Sequence, residues 1–90
     1  MNKYLKITRA EYVDNYKIEI EFDDGKINIV NFEGFLKSSS NPEIKKYLDK
    51  ELFKSFSIIE GDLVWNDFDL VFPILDLYEN SISKLNSNAA

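Results

Sequence analysis

Residues 16–32, YKIEIEFDDGKINIVNF, decide the fold because two alternating runs flank an Asp-Gly pair at positions 24 and 25. An Asp-Gly pair between alternating apolar residues is the strongest short-range signal for a β-hairpin. With this pair at the centre of a two-residue type I′ turn, the register follows by counting outward. The predicted cross-strand pairs are Phe22 with Ile27, Ile20 with Ile29, and Ile18 with Asn31.

The same register divides the hairpin into two faces. An apolar row occupies one face, and Lys17, Glu19 and Glu21 occupy the other. Val30 and Phe32 then fall on this second face, although both are apolar. Two explanations are open: a bulge turns these two residues inward, or the final helix covers the end of that face.

The flanking segments extend the hairpin into an α+β order. Residues 4–13 predict a preceding strand, and Asn41-Pro42-Glu43 predicts a helix start capped by Asn41. A second hairpin is expected around Gly61-Asp62, and Pro73 opens a final helix. We therefore predict a three-stranded antiparallel meander, a helical segment, a second β-hairpin and a C-terminal helix. They form a single domain over residues 1–85, followed by a frayed tail at 86–90.

Each helical segment should turn an apolar stripe toward the core. The first stripe is predicted to consist of Ile44, Tyr47, Leu48 and Leu52, with a break near Asp49 where a second short helix begins. The final helix is predicted to bury Leu75, Tyr78, Ile82 and Leu85.

Composition excludes several classes of function. The chain of 90 residues has no cysteine and no histidine, which removes disulfides, thiolate metal sites and histidine-based catalysis. Its net charge is −5, and six acidic residues but no basic ones lie between Lys54 and Lys84. Such a surface repels nucleic acid and anionic lipid and attracts a basic protein. With no long apolar run and no apolar leader, we expect a cytoplasmic protein without a membrane contact.

The ordered set of these features resembles the bacterial family catalogued as domain of unknown function 2442. The matching features are the strand at 16–22, the Asp24-Gly25 turn, Phe32, Leu36, Phe53, Trp65, Asp69-Leu70, Pro73 and Leu77-Tyr78. The sequence departs from the family pattern after Trp65, where Asn66-Asp67-Phe68 replaces the usual Pro and Gly. The resemblance implies a small α+β domain without an established catalytic activity. It also implies gene arrangements that look like toxin–antitoxin pairs.

Two carboxylates are the main candidates for chemistry. Asp67 and Asp69 would project from one face if this segment were a strand, and paired carboxylates can bind a divalent cation or act as acid and base. The spacing does not fit an EF-hand loop, since Phe72 would occupy the glycine position and Tyr78 the glutamate position. Solvated turn carboxylates are the more common outcome.

Trp65 and Phe68 each allow two interpretations. A single Trp on a strand usually anchors a core, whereas an aromatic side chain between two aspartates suits a docking surface. We therefore expect Trp65 to be buried and Phe68 to be exposed.

The sequence thus predicts a non-enzymatic interaction module, antitoxin-like, that needs no cofactor or metal. The predicted partner is a basic protein that contacts the acidic C-terminal half; a homo-oligomer is left open. The expected contact residues are Asp67, Phe68, Asp69, Asp76 and Glu79. The alternative is a small carboxylate- or metal-dependent enzyme that uses Asp67 and Asp69.

Overall fold

The computed structural model describes residues 5–66 and 68–82. Strands β1 (Ile7–Tyr12), β2 (Lys17–Phe22) and β3 (Ile27–Asn31) form one antiparallel sheet. Strands β4 (Ser57–Ile59), β5 (Asp62–Trp65) and β6 (Leu70–Val71) form a second. Between them lie helices α1 (Glu33–Ser38), α2 (Pro42–Lys45) and α3 (Lys50–Phe53), with a 3₁₀ turn at Lys46–Leu48, and α4 (Ile74–Tyr78) follows β6. The α+β class is confirmed.

The register of the β2–β3 hairpin differs by one residue from the predicted one. Ile18 pairs with Val30 and Glu19 with Ile29, and the Phe22 amide donates to the Lys26 carbonyl at 2.9 Å. Three residues therefore form the loop, and Gly25 adopts a φ of 95°. This is a type I turn closed by a glycine bulge rather than a type I′ turn.

The bulge resolves the position of Val30 and Phe32. Both side chains are fully buried, on the same face of the sheet as Ile18 and Ile20. The one-residue change of register moves Ile27 and Ile29 from the predicted buried face to the outer face, where they are 51% and 50% exposed. The first of the two explanations, a bulge, is confirmed, and the predicted pairing of Ile20 with Ile29 is wrong.

Local capping explains the helical segment. The Asn41 side chain accepts from the Glu43 amide at 2.9 Å, with Pro42 in the first turn, as predicted. The Asp49 side chain accepts from the Glu51 amide at 3.0 Å and starts α3, so the break near Asp49 is also confirmed. The predicted stripe is only partly correct: Tyr47 is buried and Ile44 and Leu48 are half-buried, but Leu52 is exposed.

The second sheet begins with a two-residue turn at Glu60-Gly61, where both residues have positive φ values of 52° and 88°. These angles define the type I′ geometry that was expected in the first hairpin. Asp62 therefore belongs to β5 rather than to the turn. The two sheets meet where the Ile7 amide donates to the Gly61 carbonyl at 2.9 Å.

Trp65 lies at the centre of the core, which confirms its predicted burial. Its ring contacts five other aromatic rings at centroid distances of 5.7–6.3 Å: Phe32, Tyr47, Phe53, Phe56 and Phe72. Its indole N–H donates to the Phe53 carbonyl at 2.8 Å. Trp65 thus joins the second sheet to α3 and to the end of β3.

Helix α4 is shorter than predicted and buries a different side chain. Leu77 is fully buried, whereas Leu75 is exposed, so the predicted stripe is wrong at Leu75. Ile82 is buried in the core beyond the helix, as predicted, and Leu85 lies outside the described residues. The helix ends at Tyr78 because Asn80 adopts a φ of 57°. No helix within the described ranges has the length and apolarity needed to cross a membrane.

Candidate functional site

The turn between β5 and β6 carries the exposed aromatic side chain predicted from the sequence. The Asp69 amide donates to the carbonyls of Trp65 at 2.9 Å and Asn66 at 3.0 Å, which closes the turn. Asn66 and Phe68 have φ values of 46° and 67°, a left-handed conformation that is uncommon outside glycine. Phe68 is 52% exposed, while Trp65 at the start of the turn is buried. The exposure predicted for Phe68 is confirmed.

Asp69 makes contacts inside the protein. One of its carboxylate oxygens accepts from the Lys46 ammonium at 2.8 Å and from the Tyr47 hydroxyl at 2.9 Å. These two donors, Lys46 first, lower the pKa of Asp69 below its ordinary value. Its charge is therefore partly balanced within the fold, since Lys46 also pairs with Glu43, and the contact ties the β5–β6 turn to the helical segment.

The pKa values of the two donors, Lys46 and Tyr47, are raised instead of lowered. The carboxylates of Asp69 and Glu43 raise the pKa of Lys46. Burial, and secondarily the bond to Asp69, raises the pKa of Tyr47. All three groups keep their ordinary charge states at neutral pH. None of them has a pKa near 7, which is where a general acid or base is most effective.

The structure describes only one member of the predicted carboxylate pair, and that member is not on a strand. Asp69 lies in the turn before β6, and Asp67 lies outside the described residues. Among the residues that the structure describes, no group of three or more acidic side chains is placed to hold a metal ion.

Asp76 and Glu79 lie on and just after α4, away from the β5–β6 turn in sequence. Asp76 is half-buried in the first turn of the helix and Glu79 is exposed at its C-cap. Neither makes an ion pair within residues 5–66 and 68–82. No described hydrogen bond or ion pair joins them to Phe68. Of the four predicted contact residues that the structure describes, Phe68 and Asp69 therefore share one turn, and Asp76 and Glu79 lie on and after α4.

A second charged cluster was missed by the sequence reasoning. On the outer face of the first sheet, the Arg9 guanidinium binds three carboxylates: Glu21 at 3.0 Å, Glu19 at 3.1 Å and Glu11 at 3.2 Å. Strand alternation already places Glu19 and Glu21 on one face, but only the pairing of β1 with β2 brings Arg9 to them. The contacts of Lys46 and Tyr47 with Asp69 could not be predicted from local sequence either, since Asp69 follows Tyr47 by 22 positions.

The protein is a small α+β domain that exposes an aromatic side chain, Phe68, on the turn between β5 and β6. The chain belongs to the family described as "Protein of unknown function (DUF2442)", whose model matches residues 7–83 and so covers most of the chain. This confirms the resemblance drawn from the sequence. No curated protein and no solved structure matches the chain significantly.

Proposed function

We propose that this protein is a non-enzymatic interaction module that binds a basic protein partner through a surface centred on Phe68. The proposal includes an antitoxin-like role in the cytoplasm of a bacterium. Its main support is the geometry of the β5–β6 turn. Phe68 is 52% exposed, although the residues on either side of the turn are fixed by burial and by hydrogen bonds.

An exposed aromatic side chain is suited to binding. Aromatic residues dominate the energetics of protein interfaces. Phe68 is held in a left-handed backbone conformation, which is unfavourable for a residue with a Cβ atom. Uncommon backbone conformations of this kind are concentrated at functional sites.

The charge of the C-terminal half supports a basic partner. No basic residue lies between Lys54 and Lys84, so the carboxylates of Asp76 and Glu79 have no cationic neighbour along that segment. An uncompensated negative surface attracts positively charged proteins over a distance of about 8 Å in physiological salt. Asp69 contributes less to this field, because it pairs with Lys46, which Glu43 shares.

The contacts of Asp69 weigh against the enzymatic alternative. A carboxylate that serves as a general base, or as half of a proton-sharing pair, needs a raised pKa or an open metal position. Lys46 and Tyr47 instead lower the pKa of Asp69 and occupy one of its oxygens. Among the described residues, no group of acidic side chains favours the metal-dependent alternative.

The test compares partner capture by three proteins: the wild type, Phe68→Ala and Leu75→Ala. Leu75 is also an exposed apolar residue of the C-terminal half, so Leu75→Ala controls for the general loss of exposed apolar surface. We expect the wild type and Leu75→Ala to recover the same stoichiometric partner from native lysate. Phe68→Ala should weaken binding by about tenfold or more, the effect typical of an aromatic hot spot.

Binding of the purified partner should also weaken as salt is raised from 50 to 500 mM, since screening removes the electrostatic attraction. Recovery of one partner by all three proteins with equal affinity would contradict the role of Phe68. For the antitoxin-like role, we expect the protein encoded next to this gene to inhibit growth and this chain to relieve the inhibition. Phe68→Ala should fail to relieve it.

A further inference from the structure

The β2–β3 turn contains a peptide bond, Asp24-Gly25, whose sequence is prone to a slow chemical rearrangement. We propose that Asp24 is a site of spontaneous modification to isoaspartate, and that α4 suppresses this reaction by binding the Asp24 carboxylate through the Tyr78 hydroxyl. Of the three glycines in the chain, only Gly25 follows an aspartate, and the other two follow glutamates. This site is separate from the Phe68 surface and does not depend on the function proposed for it.

The rearrangement uses only atoms of these two residues and one molecule of water. The Gly25 nitrogen attacks Cγ of Asp24, so that an N–Cγ bond forms and a Cγ–O bond breaks. The hydroxyl leaves as water with the proton of the Gly25 N–H, and a five-membered succinimide remains. Water then opens this ring at the main-chain carbonyl of Asp24 and breaks its bond to the Gly25 nitrogen. The product, isoaspartate, has the same mass, and its main chain passes through Cβ and Cγ.

The surroundings of Gly25 allow this chemistry. Glycine has no Cβ atom to hinder the approach of the nitrogen to Cγ. Asp24 and Gly25 are both exposed, and a Cβ atom on Gly25 would have no neighbour within 4 Å. Asp23, by contrast, precedes Asp24, whose side chain hinders the same attack. The reaction is therefore expected at Asp24 rather than at Asp23.

In the folded protein, hydrogen bonds engage every group that reacts. One carboxylate oxygen of Asp24 accepts from the Tyr78 hydroxyl at 2.6 Å, and the other accepts from the Lys26 amide at 3.0 Å. The Gly25 amide donates to the Phe22 carbonyl at 2.9 Å. Ring closure expels one carboxylate oxygen and consumes the Gly25 N–H. It must therefore break hydrogen bonds that the folded turn makes.

The same contacts hold the Asp24 carboxyl in its unreactive, charged form. The attack requires the neutral carboxyl, because a carboxylate would have to expel an oxide ion. The Tyr78 hydroxyl, and after it the Lys26 amide, lower the pKa of Asp24 below its ordinary value, so the neutral form becomes rarer. Asp24 in turn raises the pKa of Tyr78, which keeps the hydroxyl protonated as a donor.

Tyr78 is itself held in place by the first sheet. Its ring packs edge-on against Phe22 at a centroid distance of 5.0 Å, and the Lys26 ammonium lies 4.2 Å from its centroid. The Asn28 side chain donates to the Tyr78 carbonyl at 2.7 Å. The group that protects Asp24 thus lies 54 positions away in the chain and reaches it only when α4 is packed on the sheet.

The test measures isoaspartate at residue 24 during prolonged incubation at mildly acidic pH. It compares the folded wild type with a synthetic peptide of residues 20–29. Proteolytic fragments with isoaspartate are separated from their aspartate forms by chromatography, because the two masses are equal. We expect the peptide to accumulate isoaspartate about tenfold faster or more, since the turn of the folded protein must open before it reacts.

Two tyrosine variants identify the contact that suppresses the reaction. Tyr78→Phe removes the hydroxyl that binds Asp24 and should speed the reaction by about threefold or more, the effect of one net hydrogen bond. Tyr16→Phe is the matched control, because it removes a hydroxyl that donates to the Leu48 carbonyl instead. It should react as the wild type does. The fluorescence of Trp65 verifies that each variant is folded.

Denaturing urea separates the effect of the folded contacts from that of the local sequence. In urea, the wild type and both variants should react at the rate of the peptide. Three results would overturn the proposal: no isoaspartate in the peptide, equal rates for the peptide and the folded wild type, or equal rates for the wild type and Tyr78→Phe. An equal acceleration in Tyr16→Phe and Tyr78→Phe would overturn it too, since general destabilisation would then explain both.

Discussion

Trp65 and Phe68 lie in the same turn, yet one side chain is fully buried and the other is half exposed. The strand period explains Trp65: Leu63 and Trp65 face the core, and the indole N–H finds the Phe53 carbonyl. The left-handed backbone of Phe68 turns its side chain away from that direction. At the residue scale, two aromatic side chains three positions apart therefore have different roles.

We predict that Trp65→Ala largely unfolds the protein, while Phe68→Ala leaves the melting temperature nearly unchanged. Truncating a large buried aromatic costs about 3–5 kcal/mol, a large share of the stability of a domain of this size. Phe68→Ala removes mainly solvent-exposed surface, so it should cost little stability. Thermal unfolding followed by far-UV circular dichroism measures both. A greater loss in Phe68→Ala than in Trp65→Ala would show that the roles of the two rings are reversed.

The lowered pKa of Asp69 predicts how the stability of the folded protein depends on pH. Its pKa is lower in the folded protein than in the unfolded chain, since Lys46 and Tyr47 bind the charged form. The folded state therefore binds fewer protons, and the resulting stabilisation is present above the ordinary aspartate pKa of about 3.9. It is lost as the pH falls through the lower, folded pKa.

We therefore expect Asp69→Asn to be less stable than the wild type at pH 7, and the difference to disappear as the pH falls through the lowered pKa of Asp69. Urea unfolding over a descending series of pH values measures the difference. Glu79→Gln provides a control for the loss of one negative charge at an exposed site, and it should change stability at pH 7 by less than about 0.5 kcal/mol. A difference between Asp69→Asn and the wild type that persisted at low pH would contradict the assignment.

At the scale of elements, two glycines determine the two hairpins. Gly25 and Gly61 have similar φ values, 95° and 88°, which side chains with a Cβ atom rarely adopt. Their surroundings differ. A Cβ atom on Gly25 would have no neighbour within 4 Å, whereas one on Gly61 would lie 2.8 Å from Lys6 Cγ.

We predict that Gly25→Ala costs about 1–2 kcal/mol, the conformational strain alone. Gly61→Ala should cost more, since Lys6 must also shift and the contact between the two sheets lies at this point. Urea unfolding of the two variants gives a direct comparison. Equal losses would indicate that backbone strain alone sets the cost at both positions.

At the scale of the whole molecule, Asn28 connects the C-terminal helix to the first sheet. Its side-chain amide donates to the carbonyls of Leu77 at 3.0 Å and Tyr78 at 2.7 Å, at the end of α4. Nearby, the Tyr78 hydroxyl donates to Asp24 at 2.6 Å in the β2–β3 turn. Hydrogen bonds between residues about 50 positions apart thus hold the end of α4 against β3 and the β2–β3 turn.

We expect Asn28→Ala to destabilise the protein by about 1–3 kcal/mol, because the Tyr78 carbonyl loses its Asn28 donor and the Leu77 carbonyl loses one of its two. Tyr78→Phe removes a more exposed bond at the same helix end and should cost less. Amide exchange within α4 should speed up more than exchange in β2 in the Asn28 variant. A uniform increase over both elements would indicate global rather than local destabilisation.

The limits of the sequence reasoning are clearest at the β2–β3 turn. Asp23-Asp24-Gly25 suits both a two-residue and a three-residue loop, so local preference does not separate the two registers. The three-residue loop buries Val30 and Phe32 in place of Ile27 and Ile29. Phe32 then contacts the rings of Phe53 and Trp65. Aromatic pairs of this kind add about 0.5–1.5 kcal/mol beyond area burial, which favours the observed register.

By itself the sequence determined the α+β class, the strand and helix order, the caps at Asn41 and Asp49, and the burial of Trp65. These features depend on residues close together in the chain, where spacing alone specifies the interaction. The tertiary structure alone decided the hairpin register, the ion pair of Asp69 with Lys46, and the carboxylate cluster around Arg9. Each of these depends on side chains from distant segments, and their pairing is set by which surfaces the folded core buries together.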